Sequence, residues 1–223
     1  MSASAASAAG APAGARIVLA TRNQGKVREF RALLAGSPEL AGTDLEEAVT
    51  DAETAGCSEI PETGVTFEEN ALIKARAVAE QTGLPAVADD SGLAVEVLGG
   101  APGIFSARWA GRQASDAANL QLLLDQLADI SEEHRAAAFV CAAALVVPGG
   151  PGRQPQEVTT SGRLEGTLLP APRGEGGFGY DPIVQPAGES RSTAELSMEE
   201  KNAISHRGKA FAQLREHVVR VLA

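Results

Sequence analysis

The chain alternates short apolar runs with polar segments that carry helical spacing. Ile17-Val18-Leu19-Ala20 is the first apolar run and predicts a buried strand. The polar segment Thr21-Arg22-Asn23-Gln24-Gly25-Lys26 follows it. Val27, Phe30, Leu33 and Leu34 then recur at helical spacing, and Gly36 marks a stop. Residues 37–65 are polar and less regular. Thr66-Phe67-Glu68-Glu69 matches a capping box, with Thr66 bonding the backbone at Glu69 while Glu69 reaches back. The helix it opens should run to about Thr82, with Gly83 as its terminal cap. Pro85 opens a strand, Ala86-Val87-Ala88, which ends in Asp89-Asp90-Ser91-Gly92, where Gly92 allows a tight turn. A second strand follows, with Leu93, Val95 and Val97 alternating against smaller or polar residues.

In the second half, Ser115 is a plausible cap for a helix whose Leu120, Leu123, Leu124 and Leu127 form one apolar stripe. Phe139 to Val147 reads as a buried strand. A Gly/Pro-rich turn over 148–155 leads to strands around Glu157–Thr160 and Arg163–Leu168, resembling a hairpin or meander. The loop 173–182 is long and glycine-rich. The end is helical: Ser197-Met198-Glu199-Glu200 is a second capping box, and Ser205 caps a last helix with Phe211, Leu214, Val218 and Leu222 toward the core. Helices and strands interleave while several strands look hairpin-connected, so the expected fold is α/β: a mixed central sheet with flanking helices. Residues 1–15 contain almost only Ala, Ser, Gly and Pro and read as a disordered tail; residues 16–223 read as one domain.

Composition narrows the function. With a formal net charge of -10, the chain lacks the basic surface a non-specific nucleic-acid binder needs. A nucleotide pocket remains compatible, since a few cations reverse a local field. Its 2 cysteines, Cys57 and Cys141, show no metal or disulfide spacing, which fits a reduced, cytoplasmic protein. The longest apolar run, Ala136–Val147, is too short to span a membrane as a helix.

Five segments carry candidate chemistry. Thr21–Lys26 delivers a polar loop to a helix start, where backbone N–H groups, the helix dipole and Lys26 favour an anion. An ordinary surface loop would read the same. Asp89 and Asp90 end an apolar strand, and strand alternation sends them to opposite sides. A carboxylate there suits Mg2+ and can orient or deprotonate an attacking water; an acidic turn is the bland alternative. Lys74 shares a helix face with Asn70 and points either to solvent or to the acids and a phosphate, while Glu62 offers a second carboxylate for a metal. Gly176–Pro182 allows close approach to a flat ligand, with Phe178 as a stacking surface and Asp181 as an acceptor for a base or ribose, or is a structural turn. Lys201, His206 and Arg207 surround a helix start, where Arg207 can fork to purine carbonyls or phosphate.

Together these segments resemble the inosine triphosphate pyrophosphatase family. The carrying pieces are Thr-x-Asn-x-x-Lys at 21–26, Glu-Thr-Gly at 62–64, Thr-Phe-x-Glu-Asn-Ala-x-x-Lys-Ala at 66–75 and Ala-Asp-Asp-Ser-Gly-Leu at 88–93. Gly-Gly-Ala-Pro-Gly at 99–103, Ser-Ala-Arg at 106–108, Gly-Gly-Phe-Gly-Tyr-Asp-Pro at 176–182 and Ala-Ile-Ser-His-Arg-Gly at 203–208 follow in order. The resemblance implies an elongated, two-lobed α/β fold with a nucleotide cleft between lobes, and a homodimer. It implies cleavage of inosine, deoxyinosine and xanthosine triphosphates between the α and β phosphates. Carried over by position, Thr21, Arg22, Asn23, Gln24, Gly25 and Lys26 bind triphosphate. Asp90 binds Mg2+ and acts as general base, and Ser91 contacts substrate. Phe178, Gly179, Tyr180, Asp181, Lys201, His206 and Arg207 form the base side. Pro61 and Trp109 depart from the pattern, and Arg22 adds a charge to the phosphate loop. A related pyrophosphatase for modified pyrimidines and a non-catalytic nucleotide sensor are the competing readings.

Overall fold

The computed structural model describes residues 10–150 and 152–223. The first nine residues of the expected tail lie outside this description. The six strands form one mixed sheet in the order β2-β1-β3-β4-β5-β6. The chain packs as two compact units. One comprises the described residues up to Asp89, those within Ala143–Thr160, and Phe211–Ala223; the other comprises Asp90–Ala142 and Ser161–Ala210.

In the first unit, β1 (Ile17–Leu19) lies parallel to both β2 (Val49–Asp51) and β3 (Ala86–Val95), with Val18 beside Thr50 and Ala86. Crossover helices between parallel strands cover the faces of the sheet, which is why the three residues of β1 are all apolar and buried. Helix α1 (Gln24–Ala35) buries Val27, Phe30 and Leu34, and the Phe30 ring meets Phe211 with centroids 5.4 Å apart. A short helix α2 (Leu45–Ala48) leads into β2. Helix α3 (Phe67–Thr82) is capped by Thr66 and stopped by Gly83 in the left-handed region, φ 68°. The Glu69 carboxylate accepts from Val65 N at 2.7 Å, one residue before the partner the capping-box pattern names. Asn70 is fully buried, and its Oδ1 accepts from Gly64 N at 2.8 Å. A Cβ at Gly64 would lie 2.7 Å from that oxygen, so the chain entering α3 needs glycine there.

The second unit is built around Leu93, Leu123, Leu127, Phe139, Leu168 and Ile183. Helix α4 (Asp116–Gln126) is capped by Ser115. The buried Arg135 donates to the Leu127 and Ile130 carbonyls at 2.8 and 3.0 Å, satisfying the chain just past the end of α4. Strand β4 (Ala136–Val147) is followed by β5 (Gln156–Leu168), which pairs antiparallel with β6 (Val184–Pro186). Helix α5 (Met198–Ile204) carries both halves of the Ser197–Glu200 capping box, and α6 (His206–Leu222) follows Ser205 directly. Tyr180, 5% exposed, donates its hydroxyl to the Ser106 carbonyl at 2.9 Å inside this core.

The structure corrects several element boundaries. The expected turn at Gly92 is absent, and β3 runs unbroken from Ala86 to Val95. An acid pair fits inside a strand here because Lys26 neutralises Asp89, as described below. The two strands expected at 157–160 and 163–168 are one strand. Gly162 does not interrupt it: a Cβ there would lie 2.1 Å from the His206 carbonyl oxygen, so glycine lets the strand pass close to the start of α6. Strands β2 and β6 are additional, and their three residues each are too few to show a period. No described helix is long and apolar enough to cross a membrane.

Two side chains give tests of this packing. Asp51, at the end of β2, accepts from Thr54 N and Oγ1 at 2.9 and 2.8 Å and from Gln24 Nε2 at 3.2 Å. Burial opposes its charge, but the hydrogen bonds from Thr54 and Gln24 win and hold its pKa below the ordinary aspartate value of 3.8. A depressed carboxylate stabilises the fold above its unfolded pKa, and that stability is lost as pH falls through the lower folded value. Asp51→Ala should cost about 1–3 kcal/mol at neutral pH by stranding these donors, and the deficit, measured by urea unfolding, should shrink on acidification below pH 3.8. Burial, with Asp116 adding its charge, raises the Tyr180 phenol above 10.0. The folded state then holds the proton longer than the unfolded one, so stability from this group is present below that value and declines above it. Tyr180 is the chain's 1 tyrosine. Phenolate absorbance in an alkaline titration should therefore appear together with loss of the fold rather than before it.

Candidate active site

The phosphate-loop candidates lie at the junction of β1 and α1. Asn23 is the N-cap, accepting from Gly25 N at 2.8 Å and Lys26 N at 3.4 Å, while its own N–H donates to Thr21 Oγ1 at 3.1 Å. Gln24, Gly25 and Lys26 thus form the first turn of the helix, and Arg22 stands exposed beside it. A twelve-residue helix presents its positive end here. Gln24 is tethered to Asp51, so the β2 terminus holds the loop's side chain in place.

Lys26 Nζ lies 2.9 Å from each carboxylate oxygen of Asp89. The Asp89 side chain is only 3% exposed and that of Lys26 is 24% exposed. A carboxylate so enclosed stays ionised only with a partner of this kind. The next residue along β3, Asp90, is half-buried, as is Ser91. Alternation along the strand therefore separates a buried, lysine-bound acid from a more accessible one. Lys74, on α3, is paired with Glu62, Nζ to Oε1 2.9 Å, with side-chain exposures of 14% and 32%. Glu62 thereby meets a cation, and Lys74 meets a carboxylate.

The second unit carries the other candidates. Phe178 is 67% exposed, with Lys201 Nζ 5.1 Å from its ring centroid. Asp181 is almost fully buried. Its Oδ2 accepts from Phe178 N at 2.8 Å and from Lys201 Nζ at 2.5 Å, and its Oδ1 accepts from Thr193 Oγ1 at 3.0 Å. A Cβ at Gly177 would lie 2.1 Å from Asp181 Oδ2, and Gly177 also has φ 74°, so glycine is required at this step. Gly179 N donates to Asp116 Oδ2 at 2.9 Å. The His206 ring stacks on Phe139, centroids 5.1 Å apart and planes 17° apart, and Arg207 is half-buried beside it in the chain. The tyrosine hydroxyl and both aspartate oxygens make hydrogen bonds within the protein that shape the loop, while Phe178 is its presented surface.

Sequence reasoning missed Asp51, Asp116 and Thr193. The Asp51-x-x-Thr54 spacing, which builds a local side-chain turn, was a signal for the first. Thr193 left none, because its partner Asp181 is twelve residues away in the chain.

Among the described residues, no three His, Cys, Asp or Glu side chains are grouped to hold a metal ion. Mg2+ is commonly held by one or two carboxylates together with waters and substrate phosphates. The hard oxygen donor of the half-buried Asp90 fits that mode.

The sequence model of the Ham1 family matches residues 17–217. The chain is 61% identical over 202 residues to the dITP/XTP pyrophosphatase of Streptomyces coelicolor, covering 89% of this chain and 94% of that protein. It is 50% identical over 199 residues to the dITP/XTP pyrophosphatase of Mycobacterium tuberculosis, covering 89% and 93%. Among solved structures, a HAM1 protein from Coxiella burnetii superimposes with a TM-score of 0.80 at 43% identity, covering 92% of this chain and 99% of that one. The dITP/XTP pyrophosphatase of Mycobacterium abscessus gives a TM-score of 0.73 at 48% identity, covering 89% and 98%. With the family matched over nearly the whole described chain and the fold shared at this level, the chain belongs to the Ham1 family, the inosine triphosphate pyrophosphatases whose motifs its sequence carries in order.

Proposed function

We propose that this chain hydrolyses non-canonical purine nucleoside triphosphates, those of inosine, xanthosine and their deoxy forms, to the monophosphate and pyrophosphate. The observation that carries the reading is the acid pair in β3, with Asp89 bound to Lys26 at the positive end of α1 and Asp90 more accessible. Phosphoanhydride cleavage needs charge neutralisation and an aligned water more than covalent help. Thr21–Lys26 hold the triphosphate through the N–H groups and positive end of α1, Lys26 and Lys74 add N–H donors while keeping their carboxylate partners, and Ser91 adds a polar contact. Asp90 takes a proton from the attacking water as the water oxygen bonds to the α-phosphorus. The bond to the bridging oxygen breaks, and pyrophosphate leaves.

Asp90 is the residue that would hold Mg2+, with Glu62, whose Oε1 is bonded to Lys74, as a second carboxylate. The ion, when bound, supplies positive charge to the phosphates. On the base side, Phe178 offers its ring for stacking, and Lys201, His206 and Arg207 supply polar contacts. Donors directed at a 6-oxo group would be left unpaired by an adenine amino group, a difference buried sites penalise strongly. The homodimeric assembly and cytoplasmic location implied by the resemblance belong to the same proposal.

Asp90→Asn should lower kcat by about 10²–10⁴-fold, the usual contribution of a general base, while nucleotide still binds in a calorimetric titration. Unchanged turnover would instead favour a role in sensing. A panel of deoxyinosine, xanthosine, adenosine and modified pyrimidine triphosphates, with and without a chelator, should show pyrophosphate release greatest for the 6-oxo purines and abolished by chelation. Pyrimidine turnover equal to or above that of the purines would overturn the assignment.

A further inference from the structure

The loop from Gly176 to Pro182 presents Phe178, and its shape is set by side chains outside it. Thr193 is 1% exposed, and its hydroxyl faces two acceptors on one residue, the Asp181 carbonyl at 2.9 Å and the Asp181 carboxylate Oδ1 at 3.0 Å. A hydroxyl has one proton, shared here between two acceptors at nearly equal distance, and this holds the carboxylate beside its own backbone carbonyl. The other oxygen of that carboxylate gathers Phe178 N and Lys201 Nζ. Lys201 in turn lies under the Phe178 ring. A single buried carboxylate therefore orients the stacking ring's backbone and the cation behind the ring, and Thr193 orients the carboxylate. From the opposite side in sequence, Asp116 receives Gly179 N at 2.9 Å. Asp116 is exposed and sits in the first turn of α4, whose N-cap is its neighbour Ser115. The helix has its own cap without Asp116, and the carboxylate is spent on the loop.

We propose that Thr193 and Asp116 are positioning residues for base recognition, holding the 176–182 loop in the shape that presents Phe178 and Lys201. This rests on the reading of that loop as the base side of a purine nucleotide site. Both residues bond to the 176–182 loop, so on that reading their loss should weaken binding of the nucleoside part and leave phosphate binding as it was. A general loss of structure would weaken both.

The experiment compares Thr193→Val, which keeps the side-chain shape without the hydroxyl, with Thr193→Ser, which keeps the hydroxyl. Asp116→Ala and Asp116→Asn form the matching surface pair, with Asn retaining an acceptor. For each, KM and kcat are measured with deoxyinosine triphosphate, together with inhibition by inosine monophosphate and by inorganic triphosphate. Thr193→Val and Asp116→Ala should raise KM and weaken the monophosphate by about five- to tenfold each, the effect of one lost hydrogen bond. Their kcat and inhibition by inorganic triphosphate should stay within about twofold, and Ser and Asn should restore KM. Unchanged KM in both Val and Ala variants would overturn the inference. So would parallel weakening of monophosphate and inorganic triphosphate, or failure of Ser and Asn to rescue. If Thr193→Val does not fold, the Asp116 pair decides alone. Absence of purine triphosphate turnover in the unsubstituted protein would overturn the proposed function instead, so the two failures are distinguishable.

Discussion

The interaction on which the first unit's chemistry depends is the pairing of Lys26 with Asp89. An ionised carboxylate inside a sheet is expensive unless a cation and hydrogen bonds reach it, and breaking such a pair strands the remaining charge at a cost of about 3–5 kcal/mol. The partial exposure of Lys26 argues for the lower end of that range. The pair lets β3 continue as a strand past two consecutive acids. It also pins the first turn of α1, so the helix's positive end and the β3 acids are set by one contact. Asp90 inherits its position from this arrangement, since a strand that buries Asp89 must turn the next side chain to the other face.

The same logic recurs in the second unit at Asp181. There a buried carboxylate is stabilised by an ammonium, a backbone N–H and a hydroxyl, and the hydrogen bonds shape a loop with three glycines before the aspartate. Gly177 is required by space as well as by backbone angle, because the carboxylate occupies the volume a side chain would need. The exposed face of Phe178 is what this investment presents. In both units an acid holds a lysine.

Two glycines expected to break strands do not break them. Gly162 sits within a thirteen-residue strand because the start of α6 passes where a Cβ would be. Gly92 lies in extended β3 and makes no turn. A glycine in a sequence announces either a bend or a close approach, and only the neighbours decide which.

The sequence by itself determined the elements whose signal is local. The caps at Thr66, Ser115 and Ser197, the stop at Gly83 and the apolar faces of α1, α4 and α6 are all as periodicity and capping chemistry predict. The ordered motifs also determined the family, because eight short patterns in register constrain a chain far more than any one. Tertiary structure decided what depends on partners distant in sequence. Asp89 is the lysine's acid because Lys26, 63 residues away, reaches it. Asp181 is an organiser because Thr193 and Lys201 converge on it, and Tyr180 is a core residue because Ser106 receives its hydroxyl. Residue type and spacing reveal that such groups can be charged or polar; which charge they meet is settled only when the chain brings the partners within hydrogen-bond reach.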